Sequence, residues 1–316
     1  MPANVIELTK KYIPMLDYQY QVGAKSAILD ADGELVRESS SAKKILIPKM
    51  HLTGLRNYNR NEGFKYGVQE LSWDEHEFTQ DRASRFTVDA LDDIETIGLA
   101  YGKLAAEFQR LHVIPELDAY RFSTYATKAG SKDTTAITKA NVYGVLTEAN
   151  TQMDEDEVPE DGRILFVSNA IYNAMKQSTE VQKKWDVSDA TDSKGISFKV
   201  ERFDNLLIHK VPQRRFKTAF NFLDTEAGGF EPVSGSEDPA NDAKDINFLL
   251  IHPSAIMQIM KRAVTRIFAP TPELASQTGA WGVAQNMDAW DIQDRLYHDA
   301  FVLGNKTKAI FVNTGA

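Results

Sequence analysis

The sequence predicts an α+β protein, and three observations support this fold class. Between residues 136 and 268, short apolar runs typical of strands alternate with helical patterns. Within residues 42–88, a strand-like run at 43–50 precedes a segment of turn formers, and polar residues then alternate with apolar or aromatic ones from residue 66 onward, which indicates long strands. A long amphipathic helix begins near Asp89, between these two regions.

The composition indicates a globular protein that does not depend on disulfides. The 316 residues are 42% hydrophobic and 26% charged, which excludes a disordered or fibrous chain. Cysteine is absent, so disulfides, thiolate metal sites and cysteine nucleophiles are excluded. The net charge of −9 argues against a surface that grips nucleic acid along its length. No apolar stretch is long enough for a spanning helix, so we expect no membrane partner.

The first 88 residues divide into two parts that have no core of their own. Residues 1–41 keep neither helical nor strand spacing for long. We interpret them as an N-terminal arm whose apolar residues pack on another element or another subunit. Residues 42–88 predict a long two-stranded β-extension with a polar tip. An isolated hairpin of this length is marginal in water, so something outside it must cover one face.

A long helix follows the extension. Asp89, Asp92 and Asp93 place carboxylates at the positive end of its dipole. Its apolar positions are three or four residues apart and share one stripe, namely Ile94, Ile97, Tyr101, Leu104, Phe108 and Leu111. Pro115 is expected to end or kink this helix and to lie in the first turn of a second helix that ends near Lys128.

The remaining residues predict a mixed α and β region and a C-terminal sheet. An apolar strand, a Ser168-Asn169 capping site and a helix are predicted for residues 163–176. Residues 247–262 predict the same order of strand, turn and helix, with Pro253 at the start of the helix. The last residues predict two strands around a Gly304-Asn305 turn.

The sequence carries no signature of catalysis or of cofactor binding. It has no glycine-rich phosphate-binding motif and no histidine pair at zinc-binding spacing. The acidic residues at 154–161 lack the spacing of a calcium loop and are interpreted as a solvated charge run. His298 and Asp299 are neighbours on a predicted strand, where they point to opposite faces and form no dyad. We therefore assign no catalytic residue, cofactor or metal.

The β-extension carries the candidate functional residues, which we expect to contact a neighbouring subunit. Its aromatic residues have no domain of their own to enter, and its arginines can pair with carboxylates across an interface. The predicted contact residues are Arg56, Tyr58, Arg60, Trp73, Phe78, Arg82, Arg85 and Phe86. The alternative is a solvated strand edge, which charged residues protect from aggregation.

Several segments in order resemble one protein family. They include GLRNYNRNEGF, WDEHEFTQDRASRFTVDALD, AEFQRLHVIPELDAYRFS, GRILFVS, VPQRRFKT, INFLLIHPSAIMQIMK, RIFAP and DAWDIQDRLYHDAFVLGNKTKAIFVN. Together they resemble the major capsid proteins of tailed bacteriophages, particularly phages of Gram-positive bacteria. The resemblance implies the Hong Kong 97-type (HK97-like) fold. Its parts would be an N-terminal arm (1–41), an extended loop (42–88), a peripheral domain of spine helix (89–135) and returning strands (269–316), and an axial domain (136–268).

The resemblance also implies partners and a location. Copies would assemble as hexamers and pentamers into an icosahedral shell around double-stranded DNA, with a scaffolding protein and a portal protein as partners. The shell would form in the host cytoplasm and become part of the virion. Some members crosslink a loop lysine to an asparagine of a neighbour. The candidates here are Lys43, Lys44, Lys49 and Lys65 as donors and Asn305 or Asn313 as acceptors.

Three alternatives stay open at this stage. An encapsulin-like nanocompartment shares the fold but houses enzymes, and co-purification of a cargo protein would favour it. A soluble α and β enzyme would be a small oligomer with a pocket for a small molecule. A tail or head-completion protein would form rings or tubes.

Overall fold

The structure of the protein is a computed structural model that shows a mixture of helices and strands, as the sequence predicts. It describes residues 23–30, 37–38, 44–58, 60–61, 67, 69–89, 106–191, 197–225, 228–235, 241–268 and 289–315. Within these ranges no helix is both long and apolar enough to cross a membrane.

The described residues form helices and strands with the following bounds. The strands are β1 (Arg37–Glu38), β2 (Lys44–Leu52), β3 (Gln69–Glu77), β4 (Gln80–Asp89), β5 (Ser131–Asp133), β6 (Ile164–Ser168), β7 (Trp185–Thr191), β8 (Ser197–Phe203), β9 (Leu206–Val211), β10 (Phe220–Phe222), β11 (Phe230–Pro232), β12 (Ile246–Ile251), β13 (Ile256–Phe268), β14 (Ala289–Val302) and β15 (Ile310–Thr314). The α-helices are α1 (Ile114–Lys128), α2 (Val142–Glu155), α3 (Asn169–Gln177) and α4 (Thr179–Lys183).

A seven-stranded sheet with the order β5-β15-β12-β6-β9-β8-β7 holds most of the core. The pairs β15/β5 and β6/β9 are parallel, and the other pairs are antiparallel. Helix α1 packs on one face, where Phe122 contacts Phe166 of β6. Helices α2, α3 and α4 cover the other face, where their apolar residues form a buried cluster with Leu165 of β6. Because both faces are covered, every residue of β6 is buried.

A three-stranded sheet with the order β13-β14-β4 joins segments that are far apart in sequence. Strand β14 pairs with β13 on one side and with β4 on the other, both antiparallel. Ile256, Ala300 and Val302 belong to the same buried cluster as Phe122, so this sheet is attached to helix α1. The second half of the predicted return strand, β4, is therefore attached to helix α1 through this sheet.

The β-hairpin of β2 and β3 is confirmed, and the described residues between its strands are 53–58, 60–61 and 67. The predicted extension has two strands, whereas the structure divides the return segment into two. Strand β3 pairs with β2, and strand β4 pairs with β14. The two residues of β1 add a short third strand to the hairpin. In the arm, Leu29 is buried in the core beside α1, so an apolar residue of the arm packs on another element as expected.

The helix that ends near Lys128 is confirmed, and the effect of Pro115 is more limited than expected. Residues 106–128 are helical throughout, with a π-helical segment at Gln109–Val113 directly before α1. Proline has no amide hydrogen to donate, and the wider π turn accommodates that loss without ending the helix. Residues 90–105, which carry most of the predicted amphipathic stripe, lie outside the described residues.

Two predictions near the C-terminus are wrong in detail. The helix predicted after Pro253 is a single 3₁₀ turn, followed by the 13 residues of strand β13. Residues 256–268 are rich in β-branched side chains, and their pairing with β14 outweighs the helical reading. The two strands around Gly304 and Asn305 exist, but they form no hairpin, since β14 lies in the three-stranded sheet and β15 in the seven-stranded sheet.

Candidate interaction surface

One face at the base of the hairpin is attached to its own chain. Ile45 and Ile47 of β2 are buried in a cluster with Phe78, Met257 and Phe301. The alternation of a strand places these two isoleucines on the same face of the hairpin. That face is consequently covered within the chain.

Asp299 connects the hairpin to the body of the protein. Its Oδ2 accepts hydrogen bonds from the backbone amide of Thr79 at 2.7 Å and from the Thr79 hydroxyl at 3.0 Å. Its Oδ1 accepts from the Tyr120 hydroxyl at 2.6 Å and from the Ala300 amide at 2.7 Å. Burial, reinforced by the bond to Asp299, raises the pKa of Tyr120, so its hydroxyl keeps the proton that it donates. These bonds fix the position of the hairpin base.

The outer part of the hairpin exposes large apolar side chains. Among the described residues, seven large hydrophobic residues are exposed, and four of them are on the hairpin: Leu52, Leu55, Tyr58 and Trp73. Leu55 at the tip is fully exposed at 107%, and Trp73 of β3 is 38% exposed. A concentration of exposed apolar groups on one element is typical of a surface that binds another protein.

Strand register places two of these residues on the face that turns away from the body. Leu46 is opposite Glu75 and Leu52 is opposite Gln69 in the β2/β3 ladder. Residues two apart share a face, so Leu46, Leu52 and Trp73 lie on the face opposite the buried Ile45. This outer face of the hairpin is the candidate interaction surface.

The four predicted arginines divide into two groups. Arg56 and Arg60 are exposed at the tip and form no ion pair with any residue that the structure describes. Arg82 donates through Nε to Glu116 at 2.7 Å, and its Nη2 lies 3.0 Å from the carbonyl of Leu223. Arg85 donates through Nε to Asp291 at 2.9 Å.

The predicted aromatic residues also divide. Phe78 packs within its own chain, with its ring centroid 5.1 Å from Tyr297 and 5.6 Å from Phe301. Tyr58 and Trp73 are exposed on the hairpin. Phe86 lies in β4 opposite Ile292, and its side chain is outside the described residues. Of the eight candidates, Arg56, Tyr58, Arg60 and Trp73 are exposed on the hairpin, while Phe78, Arg82 and Arg85 contact residues of distant segments of the chain.

Sequence reasoning missed two exposed residues, Leu52 and Leu55. The signal was present, because a leucine within the turn-rich segment GLRNYN has no strand or helix of its own to pack on. The sequence predicts a polar tip, whereas the structure exposes a leucine there.

Of the two asparagines suggested as crosslink acceptors, one is buried. Asn313 has no exposed area, and its Nδ2 donates to Asp133 at 2.6 Å and to the carbonyl of Thr135 at 3.1 Å. A buried amide with both protons donated is poorly placed to react with a lysine of another chain. Asn305, by contrast, is exposed in a turn.

A polar cleft of about 490 Å³ lies at the base of the hairpin, between β3, α1, β10 and β14. Its charged lining residues are Glu75, Glu77, Lys128 and Asp299, with aromatic rings including Tyr120, Phe220 and Phe222. Burial lowers the pKa of His76 in the same lining, which favours its neutral form.

The geometry around His298 and Asp299 gives no catalytic dyad. Both oxygens of Asp299 accept from Thr79, Tyr120 and Ala300, and the Nδ1 of His298 is buried without a hydrogen-bond partner. Burial lowers the pKa of His298 to about 3, so its imidazole is neutral at pH 7. In the part of the chain that the structure describes, no group of three or more metal-ligating side chains comes together.

Comparison with known proteins identifies the fold. No protein-family model and no curated protein matches the chain. Solved structures do match. The capsid of cyanophage P-SCSP1u matches with a TM-score of 0.54 and 13% identity, over 89% of this chain and 85% of that one. The mature capsid of bacteriophage PhiM1 gives 0.55 and 9%, over 88% and 83%.

A virus-like particle from Pyrococcus furiosus also matches, with a TM-score of 0.53 and 9% identity, over 97% of this chain and 99% of that one. At these identities the likeness concerns the fold alone. The chain thus has the fold of proteins that build phage capsids and a virus-like particle.

Proposed function

We propose that the chain is the major capsid protein of a tailed bacteriophage, which assembles into the icosahedral shell around double-stranded DNA. The observation that carries this proposal is the match to phage capsid structures over most of both chains. The hairpin supports it independently. One of its faces is attached to the chain, and the other exposes apolar residues that an isolated molecule would leave in water.

The Hong Kong 97-type division of the chain belongs to the same proposal. The arm would be 1–41, the extended loop 42–88, the spine helix 89–135, the axial domain 136–268 and the returning strands 269–316. The β2/β3 hairpin within 42–88 supports the extended loop, and the pairing of β4 with β14 supports a peripheral region made from separate segments. Strand β15 departs from this division. It belongs to the returning strands by sequence, but it pairs with β12 in the seven-stranded sheet.

Self-association would be the primary activity, in hexamers and pentamers, with no catalytic role. Shell contacts must be heterologous and must close into rings, and each must be modest so that wrongly formed assemblies can dissociate. A scaffolding protein and a portal protein would assist assembly in the host cytoplasm. The net charge of −9 suits a virion shell that must not bind its packaged DNA tightly.

A second candidate is an encapsulin-like nanocompartment. The observation that favours it is the match to the Pyrococcus furiosus virus-like particle over nearly the whole of both chains. The phage capsid matches have similar TM-scores and include several different phages, so we place the capsid function first.

Sedimentation and negative-stain microscopy of the purified chain test the proposal. The chain is expressed alone and together with a candidate scaffolding protein. Closed shells, or sheets and tubes of hexamers, support assembly. A discrete small oligomer under both conditions contradicts it. Mass spectrometry of purified particles separates the two candidates, since an enzyme cargo indicates a nanocompartment and a portal protein indicates a capsid.

A further inference from the structure

Three buried polar atoms between helix α1 and the three-stranded sheet have no hydrogen-bond partner among the residues that the structure describes. They are the Nε of Arg121, the Oε1 of Gln258 and the Nδ1 of His298. The three residues are 1%, 4% and 3% exposed, so bulk water does not reach these atoms. Buried polar groups in native proteins are nearly always paired, because an unpaired one costs free energy. The location of the three atoms decides whether one ligand can pair with all of them.

Strand register places Gln258 and His298 on the same face of the sheet. Gln258 of β13 is opposite Ala300 of β14. His298 is two residues before Ala300 in β14, and it is opposite Met260 of β13. Residues two apart on a strand share a face, so all four side chains lie on one face of the sheet. Ala300 is buried in the cluster that contains Phe122 of helix α1, so this face is the one that packs on the helix.

Helix α1 brings Arg121 to the same place. Tyr120, its neighbour in the helix, packs edge-on to His298 with ring centroids 5.5 Å apart. One turn later, the hydroxyl of Tyr125 accepts a hydrogen bond from the Gln258 amide at 2.5 Å. Residues four apart on a helix are neighbours on its surface, so Arg121 lies beside Tyr125. Burial, and after it the charge of Arg121, lower the pKa of His298, which places the guanidinium near the imidazole.

The arm segment 23–30 lies against this junction and uses the rest of the guanidinium. The Nη1 of Arg121 donates to the Ser26 hydroxyl at 3.0 Å, and its Nη2 pairs with the Asp30 carboxylate at 3.1 Å. The backbone of Asp30 also forms a bridge with that of Gln258 at the edge of β13. These contacts hold the guanidinium in place and leave its Nε–H without an acceptor among the described residues.

The missing partners match one water molecule. The Nε–H of Arg121 needs an acceptor, and the Oε1 of Gln258 needs a donor. The pKa of His298 is about 3, so its ring is neutral at pH 7, and with the ring proton on Nε2 its Nδ1 also needs a donor. An anion offers no donor to these two acceptors, and a metal cation offers no acceptor to the arginine. A water accepts one hydrogen bond and donates two, and about three bonds are typical of a buried water.

We propose that Arg121, Gln258 and His298 bind one ordered water molecule beneath the arm segment 23–30. The water joins helix α1 to both β13 and β14. Strand β14 also pairs with β4, so the water connects the anchor of the arm to the sheet that carries the hairpin. A buried water of this kind is costly to remove. The inference goes beyond the proposed function and does not depend on it.

An experimental structure of the full-length chain, at a resolution that shows ordered waters, tests the site. We expect one density peak within about 2.7–3.2 Å of the Arg121 Nε, the Gln258 Oε1 and the His298 Nδ1. Absence of a peak, or direct hydrogen bonds among these three side chains, overturns the inference. A chain that forms only a small oligomer but shows the peak contradicts the proposed function and supports the water site, so the two failures are distinguishable.

Substitution of one partner shows which groups hold the water. Gln258→Met keeps the length of the side chain and removes the acceptor, so the peak should lose most of its occupancy. Met260→Leu lies on the same face of β13, removes no polar atom and is the matched control, which should keep the peak. Circular dichroism checks that both variants are folded. Full occupancy in Gln258→Met would show that other groups hold the water and would contradict the assignment.

Discussion

The carboxylate of Asp118 in α1 accepts hydrogen bonds from the backbone amide of Ser26 at 3.0 Å and from its hydroxyl at 2.7 Å. Its other oxygen accepts from the Lys25 amide at 2.9 Å and from Arg215 at 2.8 Å. Asp118 and Ser26 have no exposed area, and Arg121 donates to the Ser26 hydroxyl at 3.0 Å. This network fastens the arm segment 23–30 to the helix that also holds the hairpin base.

Asp118→Asn should destabilise the chain strongly. The substitution keeps the shape of the side chain but removes the buried charge that pairs with Arg215, and breaking a buried ion pair costs about 3–5 kcal/mol. Urea unfolding of the unassembled chain measures the change in the free energy of unfolding. Asp161→Asn, at an exposed loop position, is the control and should change it by less than about 0.5 kcal/mol. A cost equal to that of the control would show that the network does not hold the arm.

Phe78→Ala should destabilise the isolated chain before any assembly takes place. The ring is 5% exposed and packs on Tyr297 and Phe301, and truncating a buried phenylalanine costs about 3–5 kcal/mol. Phe78→Leu keeps most of the volume and should cost less than about 1.5 kcal/mol. Both values come from denaturant unfolding. If Phe78→Ala left stability unchanged and impaired only assembly, the ring would act between subunits, as the sequence alone suggested.

Leu55→Ser should show the opposite pattern. Leu55 is fully exposed, so its loss should change the unfolding free energy by less than about 0.5 kcal/mol. Assembly, followed by light scattering, should weaken, because the leucine is an exposed apolar group at the tip of the same hairpin. Val187→Ala removes an exposed apolar group from β7 and serves as the comparison. Equal assembly by Leu55→Ser and wild type would argue that the tip contacts nothing.

Arg82 and Glu116 should be energetically coupled within one chain. Their side chains are 27% and 17% exposed, and the Nε–Oε1 distance is 2.7 Å. A double-mutant cycle with Arg82→Met and Glu116→Gln should give a coupling energy on the order of 1 kcal/mol. The same cycle at the more exposed pair Lys44 and Glu75 should give a smaller value. Absence of coupling at Arg82 would leave that arginine available for a contact between subunits.

Acid should destabilise the fold, and His298 should account for part of the effect. Burial lowers its pKa from 6.5 to about 3, so below pH 6.5 the unfolded state binds a proton that the folded state excludes. Stability is therefore fully present above pH 6.5 and is lost as the pH falls towards 3. Burial lowers the pKa in the same direction for His76, His209 and His252.

Urea midpoints between pH 7 and pH 4.5 measure this dependence. His298→Gln removes the titrating group, so its midpoint should fall less steeply with pH than that of the wild type. An identical pH dependence in the two proteins would mean that His298 is accessible to protons in the folded state.

Local signals predicted the elements that neighbouring residues determine. Ser168 was expected to cap a helix, and its hydroxyl does accept from the Ile171 amide at 3.4 Å. The segment after Pro253 looked similar, yet it is a strand because β14, more than twenty residues later in the chain, pairs with it. A single-sequence pattern reports the local preference and does not contain that pairing.

The candidate site shows the same limit. The exposure of Arg56, Arg60 and Tyr58 followed from a turn-rich tip that has no core of its own. The partners of Phe78 and Arg82 did not follow, because Tyr297 and Glu116 reach them only through the packing of distant segments. The junction at Thr79 and Asp299 spans 220 residues, a separation over which no spacing rule applies.

Electron cryomicroscopy of the purified chain, at a resolution that traces each hairpin, tests the central claim most directly. We expect closed shells of hexamers and pentamers in which each hairpin lies over the adjacent copy. That copy should cover Trp73 and Leu52 of the hairpin. A discrete small oligomer, or a shell in which the outer face of every hairpin stays in solvent, would contradict it.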